Sequence, residues 1–147
     1  IMIEELERFS RNELMEMDAL MRELSPTSGC SEKQLRSAME DDGIHIFIIR
    51  EDGIIVATAT LCVNHTPEFT VGSVEAVVVK QSCRGKGYGK SLMLRLIDEA
   101  RRLGCAKLHL TSNPKRVSAN ALYRSLGFQL YQTNFYTMPL QCSFKDC

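Results

Sequence analysis

Apolar residues recur at helical spacing in four segments of the chain, which predicts four amphipathic helices. Residues such as Leu14, Met17 and Leu20 mark the first helix, which the Ser25-Pro26 pair stops. Ser31 is a suitable N-cap for the second, with Gln34 three residues later as in a capping box. The predicted helices cover 12–24, 31–40, the stretch from the glycine-rich turn at 84–89 to 103, and 116–126.

Between these helices lie short runs of β-branched and aromatic residues, which predict strands. The Asp52-Gly53 pair between two such runs indicates a hairpin. Gln132-Thr133-Asn134 indicates a second hairpin near the end, and residues 64–72 are predicted to form a loop. The order favours an α/β (α+β) fold in which a mixed sheet carries helices on both faces. The predicted strands are 44–50, 54–63, 74–79, 106–111, 128–131 and 135–140.

Composition narrows the class of protein. With 147 residues, 44% of them hydrophobic, the chain is expected to be one domain, 1–147, with a polar tail from Gln141. Eighteen basic residues balance eighteen acidic ones, which argues against a general nucleic-acid binder. No run is long enough to span a membrane, and no signal peptide is recognisable. The six cysteines form no C-x-x-C pair and no metal-ligand spacing with histidine, so we expect no metal, free thiols and a cytoplasmic location.

The most informative stretch is the run from the buried strand 74–79 through the turn 84–89 into a helix. The turn reads Arg-Gly-Lys-Gly-Tyr-Gly, in which glycine allows a ligand to lie directly on the backbone. The helix that starts inside the turn points unpaired N–H groups into it, and such a helix start binds phosphates. Arg84, Lys86 and Lys90 add positive charge. The sequence therefore predicts a site for a phosphorylated ligand.

Two common nucleotide motifs do not fit this turn. A P-loop ending at Gly89-Lys90-Ser91 requires a glycine at the position that Arg84 occupies. A dinucleotide fingerprint starting at Gly85 requires a glycine where Lys90 stands, and no acidic residue ends the next strand to hold a ribose.

The spacing that fits is R-x-x-G-x-G, and it resembles the pyrophosphate loop of the GNAT superfamily of acetyl-CoA-dependent N-acyltransferases. Residues 118–128, SANALYRSLGF, also resemble that family's A-x-x-L-Y-x-x-x-G-F segment. The resemblance covers roughly residues 44–140. It implies a mostly antiparallel sheet of six to seven strands, splayed after the fourth strand and flanked by about four helices. It also implies an edge strand within 2–9.

The resemblance further implies how acetyl-CoA is bound. The pantetheine arm would pair with the main chain of Val77 and Val79, along the strand that contains Val78. Asn120 would contact the arm, and Arg116 stands where the family more often has asparagine, so Asn113 takes part of that role. The pyrophosphate would lie on the turn formed by Arg84, Gly85, Lys86, Gly87, Tyr88, Gly89, Lys90 and Ser91.

Acetyl transfer to an amine needs a base for the amine and an acid for the leaving thiolate. Tyr123 occupies the position at which the family commonly uses a phenol as the acid, although it also belongs to an apolar helical stripe. Glu75 is the one ionisable residue in 74–79, and strand alternation places it on the face of Val77 and Val79. Desolvation there would favour its action as a base. A structural glutamate, or one that orients water, is the alternative.

The sequence thus predicts an enzyme that moves an acetyl group from acetyl-CoA directly to a primary amine in a ternary complex, without a metal. The expected partners are acetyl-CoA and the amine, with no nucleic acid and no membrane; a homodimer is left open. The region between the first two helices would set acceptor specificity. A protein lysine or N-terminus as acceptor, or a non-catalytic acyl-CoA sensor, are the alternatives; Tyr123 and Glu75 favour the enzyme.

Overall fold

The fold is built on a central sheet whose strands follow one another in chain order. The computed structural model describes residues 1–141. The elements in chain order are β1 (Ile3–Glu5), α1 (Arg11–Leu24), α2 (Glu32–Glu40), β2 (Ile44–Glu51), β3 (Ile54–His65), β4 (Thr70–Val79), a 3-10 turn (Gln81–Cys83), α3 (Tyr88–Arg102), β5 (Lys107–His109) and α4 (Val117–Ser125).

The sheet has five strands in the order β1-β2-β3-β4-β5. The pairs β1–β2, β2–β3 and β3–β4 are antiparallel, whereas β4 and β5 are parallel. The prediction of a mixed, mostly antiparallel sheet with four helices is therefore confirmed. The predicted splay is also present, because β5 pairs only with residues 71–73 and leaves the second half of β4 open.

Buried side chains cover both faces of the sheet. On one face, Leu92 and Leu96 of α3 and Tyr123 of α4 pack with Phe47. On the other face, α1 and α2 cover Ile48 and residues around it. Helices on both faces leave little of β2 and β3 in contact with water, which accounts for their nearly continuous apolar sequences. The two layers hold β4, the strand that leads to the glycine-rich turn, in a fixed position.

The β2–β3 hairpin confirms what the Asp-Gly pair predicts. Asp52 and Gly53 both have positive φ values, 51° and 77°, as a two-residue turn of type I′ requires. The predicted loop 64–72 is wrong, because β3 and β4 pair as far as His65 and Thr70. Polar residues and Pro67 in this stretch resemble a long loop in sequence, whereas the two strands are closed by a short turn.

The predicted count of six to seven strands is too high, because residues 128–131 and 135–140 form no strand. Alternating apolar residues show that this stretch is suited to a strand, but a strand also needs a sheet edge to pair with. Most of its large side chains are exposed instead, including Leu130 and Tyr136. The predicted tail from Gln141 falls almost entirely on residues 142–147, which lie outside the described part of the chain.

Two searches of residues 1–141 bear on the class of protein. None of their helices combines the length and the apolar character needed to cross a membrane. No group of three His, Cys, Asp or Glu side chains in the same residues is arranged to hold a metal ion. Cys30, Cys62, Cys83 and Cys105 are free thiols.

Candidate active site

The turn between β4 and α3 has the backbone of an anion cradle. Gly85 and Gly87 have φ values of 83° and 82°, and no atom lies within 4 Å of the position that a Cβ would take at either. Gly87 is the N-cap of α3, whose first backbone hydrogen bond runs from Ser91 N to Gly87 O. The N–H groups of the residues between them have no partner within the helix. They are therefore free to bind an anion.

The predicted cations lie around this cradle, but two of them already contact carboxylates. Arg84, Lys86 and Lys90 are all exposed. The ammonium of Lys86 donates to Glu51 Oε2 at 2.9 Å. Arg84 Nε donates to the carbonyl of Val79 at 3.1 Å, and its guanidinium lies 3.9 Å from Glu23 Oε1. Positive charge at the turn is thus balanced by residues that the motif does not include.

Glu51, at the end of β2, is the centre of these contacts. It accepts hydrogen bonds from the Tyr88 hydroxyl and from Lys86, and the Cys83 thiol lies 3.7 Å from its second oxygen. The Tyr88 hydroxyl and then Lys86 hold the pKa of Glu51 below its ordinary value. The same hydrogen bond raises the pKa of Tyr88, and Glu51 raises that of Lys86. At neutral pH the pattern is an ionised carboxylate that ties the turn to the sheet.

This arrangement changes what Tyr88 offers to a ligand. Its side chain is buried in the core under the sheet and ends at Glu51, so only its main chain faces the cradle. Sequence reasoning did not identify Glu51 or Glu23 as part of the site. Glu51 lies 35 residues before Lys86, and no local spacing signals a contact between them.

A β-bulge interrupts β4 next to the turn. Glu75 lies opposite Thr60 and Val78 opposite Thr58, so two residues of β4 face one residue of β3. Ala76, inside the bulge, has a φ of 52°. The extra residue reverses the side-chain alternation beyond it.

The bulge corrects the predicted position of Glu75. Strand alternation placed Glu75 on the face of Val77 and Val79, but the observed register places it on the face of Val78. Val77 and Val79 pack on the α3 side, whereas Val78 packs on the α1 side. Glu75 is also exposed, so the burial that would desolvate its carboxylate is absent.

Beyond the bulge, one edge of β4 is open. Lys80 N donates to Val56 O at 2.8 Å, so the two-residue repeat directs the main chain of Val78 towards β3. The main chain of Val77 and Val79 then points to the side that β5 has left. Of the three predicted arm-binding residues, Val78 is therefore wrong for a main-chain contact. The Val79 carbonyl already accepts from Arg84.

The chain across this gap is shaped by asparagines. Pairing of β4 with β5 ends at Ser73 and His109, and Ser112, three residues later, has a buried hydroxyl without a partner in the described chain. The carbonyl of Asn113 accepts from Arg116 N at 3.0 Å and from Asn120 Nδ2 at 2.9 Å. The three residues predicted to contact the cofactor thus meet in one turn at the start of α4.

Tyr123 lies on the core-facing side of α4. Its side chain is 6% exposed and packs edge-to-face on Phe128, with ring centroids 6.0 Å apart. The preceding residue, Leu122, lies 3.7 Å from the Cβ position of Gly89 and so closes α4 against the cradle. Val77 and Val79 pack against the same cluster as Tyr123. The geometry brings the turn, the open strand edge and the phenol into one region.

Comparison with known proteins agrees with this geometry. The family model described as "Acetyltransferase (GNAT) family" matches residues 5–128. The chain belongs to the GNAT family. It is therefore an N-acyltransferase of the group that uses acetyl-CoA.

Individual relatives of this GNAT chain act on different acceptors, as their names state. Glucosamine 6-phosphate N-acetyltransferase from Trypanosoma brucei brucei is 32% identical over 134 residues, which cover 86% of this chain and 88% of the relative. IAA acetyltransferase from Azospirillum brasilense is 28% identical over 77% of this chain and 72% of its own. The solved structure of a putative acetyltransferase from Agrobacterium tumefaciens superposes with a TM-score of 0.80 at 26% identity, covering 95% of this chain and 100% of that one.

Proposed function

We propose that the enzyme transfers an acetyl group from acetyl-CoA directly to a primary amine while both are bound. The observation that carries the proposal is the open edge of β4, which runs from the bulge at Ala76 to the glycine cradle. A pantetheine arm has two amides that pair with such an edge as an added strand would. The cradle then receives the pyrophosphate at one end, and the thioester lies at the bulge.

The residues present fit this cofactor. Gly85 and Gly87 leave room for phosphate oxygens against the backbone, because a Cβ at either position would meet no other atom. The Val77 main chain and the Val79 N–H are directed to the open side for the arm. The partnerless Ser112 hydroxyl lies just beyond β5, at the far side of the gap. Acetyl-CoA supplies the activated acyl group.

The transfer needs two proton movements and one bond exchange. The amine gives up a proton, its nitrogen attacks the thioester carbonyl, and a C–N bond forms as the C–S bond breaks. The nitrogen loses a second proton, and the thiolate receives one. The N–H of Val77 in the bulge polarises the carbonyl, since bulge residues are left out of the ladder.

Tyr123 and Glu75 take the two roles from opposite faces of β4. Tyr123 packs with the α3 side of the sheet, where it protonates the thiolate. Glu75 lies on the α1 side, where an amine entering past α1 and α2 would meet it. Because Glu75 is exposed, it acts as the base through its charge and an ordered water rather than through desolvation.

The acceptor is proposed to be a small amine. Glucosamine 6-phosphate is the first to test, because the relative at 32% identity bears that name. A protein lysine or N-terminus is the second candidate. A sensor that binds acetyl-CoA without turnover is the third, although such a protein needs no phenol at the position of Tyr123.

Thiol release with a panel of amines separates these candidates. The panel contains glucosamine 6-phosphate, glucosamine, a lysine peptide with a blocked N-terminus and the same peptide with a free one. We expect release with a small amine, and initial-rate lines that intersect when both substrates are varied. Parallel lines would indicate an acetyl-enzyme and contradict direct transfer. Calorimetric acetyl-CoA binding without release from any amine would favour the sensor.

Glu51→Gln tests how the turn is held. The glutamine side chain still accepts from Tyr88 but no longer competes for Lys86, whose ammonium becomes free for a phosphate. We expect acetyl-CoA to bind about threefold more tightly, since an exposed ion pair has only a small effect. Calorimetry at low and high salt measures the gain, which salt should reduce. Glu51→Ala, which also loses the Tyr88 bond, is the matched control; weaker binding by Glu51→Gln would mean that the charge itself shapes the turn.

A further inference from the structure

The stretch after α4 exposes apolar side chains in an unusual density. Phe128 is fixed at the body of the domain, because its N–H donates to the Tyr123 carbonyl at 3.0 Å. Beyond it, residues 129–140, here called the C-terminal segment, contain no charged side chain. Six large side chains of the segment are between 74% and 99% exposed: Leu130, Tyr131, Phe135, Tyr136, Met138 and Leu140. An exposed apolar patch of this kind marks an interaction surface.

The backbone of the C-terminal segment is also nearly unpaired. Within residues 1–141, its one backbone hydrogen bond runs from Thr133 N to Tyr131 O at 3.1 Å. Tyr136, Met138 and Leu140 alternate as the apolar face of a strand does, and Pro139 is tolerated on an edge strand. A segment with this pattern, free peptide groups and no charge to keep other strands away pairs readily with a sheet edge.

The same chain provides such an edge. β5 is the last strand of the sheet, and within the described residues it pairs with β4 alone. The C-terminal segment makes no backbone hydrogen bond with β5 of its own chain. Each molecule therefore carries both a strand without an edge and an edge without a strand.

We propose that two copies of the chain form a dimer in which each C-terminal segment pairs with β5 of the other copy. The exchange is symmetric, so one type of contact closes the assembly and leaves neither edge free. Full burial of six side chains of this size removes on the order of 1,000 Å² from water in each copy. A stable interface needs about 800 Å² from each partner. The segment alone is therefore large enough.

A second copy fits better than another protein for two reasons. The segment lacks charges that would select a charged partner, so its recognition depends on backbone pairing and apolar burial. A segment this apolar must also be covered whenever the protein is present, because an exposed one would promote aggregation. A second copy is always available at the concentration of the chain itself.

Light scattering on the purified protein, with a reductant present to exclude disulfides, tests the dimer. We expect a mass of twice 16.6 kDa that falls to the single value on dilution. Tyr136→Lys combined with Met138→Lys should weaken dimerisation more than 100-fold, because each charge is buried twice in the symmetric interface. Met15→Lys combined with Leu94→Lys, which changes exposed apolar residues of α1 and α3, is the control and should stay dimeric.

Hydrogen exchange on the unaltered protein gives a second readout that does not depend on a variant folding. Amides of the C-terminal segment and β5 should be protected at high concentration, and both should lose protection as the dimer dissociates. A monomer at every concentration would overturn the proposal, including one whose segment is protected by its own β5. A dimer that survives both lysine substitutions would overturn it too. Neither readout requires catalytic turnover, so the proposed function is tested separately.

Discussion

Gly89→Asp is expected to weaken acetyl-CoA binding on the order of 100-fold while the protein stays folded. The new carboxylate would lie in the first turn of α3, where the proposed pyrophosphate binds. Two opposed charges about 5 Å apart at a partly exposed site repel by roughly 3 kcal/mol, which corresponds to a factor of about 100 in the dissociation constant. An acidic residue in the first turn otherwise favours a helix. Loss of binding would therefore not be a consequence of unfolding.

Gly89→Ala is the matched control for this prediction. A Cβ at Gly89 would lie 3.7 Å from Leu122 Cδ2 and 3.8 Å from Val79 Cγ2, both ordinary contacts. Gly87 is a poorer choice, because its φ of 82° would strain any other residue and confuse binding with folding. Calorimetry measures affinity, and thermal unfolding checks stability. Undiminished affinity in Gly89→Asp would show that the cofactor does not lie on this turn.

The parts of the fold that follow local rules were predictable from the sequence. Helical apolar spacing and the stop at Ser25-Pro26 define α1 to within one residue. The Asp52-Gly53 pair defines the β2–β3 turn, because positive φ at both positions is a property of those residues. The glycine turn was predictable for the same reason, since Gly85 and Gly87 adopt the conformations that their spacing requires.

Features that depend on distant partners were not predictable. The bulge at Ala76 reverses the faces of Glu75 and Val77, and no residue type in that apolar run signals an extra residue. Glu51 contacts Lys86 and Tyr88 through the fold, with no spacing that connects them in the sequence. Residues 128–140 have strand-like alternation, but whether a strand forms depends on which edge is available.

Tyr123→Phe is expected to lower the rate of acetyl transfer about 100-fold, which is typical for loss of one proton donor. The substitution removes only the hydroxyl. The ring remains packed on Phe128, so folding and the affinity for acetyl-CoA should change little. A single-turnover rate at saturating acetyl-CoA isolates the transfer step, and calorimetry measures binding on the same preparation. A lower rate with unchanged binding would identify a group that acts on the leaving thiolate.

Tyr131→Phe is the control, because Tyr131 is 82% exposed and lies outside the proposed active site. The same atom is lost in both variants, so a difference between their rates reports the position of the hydroxyl. If Tyr123→Phe transfers acetyl groups at the unaltered rate, the phenol is only a packing residue of α4. The thiolate would then take its proton from water that enters along the open edge of β4, and the enzyme would depend on the bulge and the cradle alone.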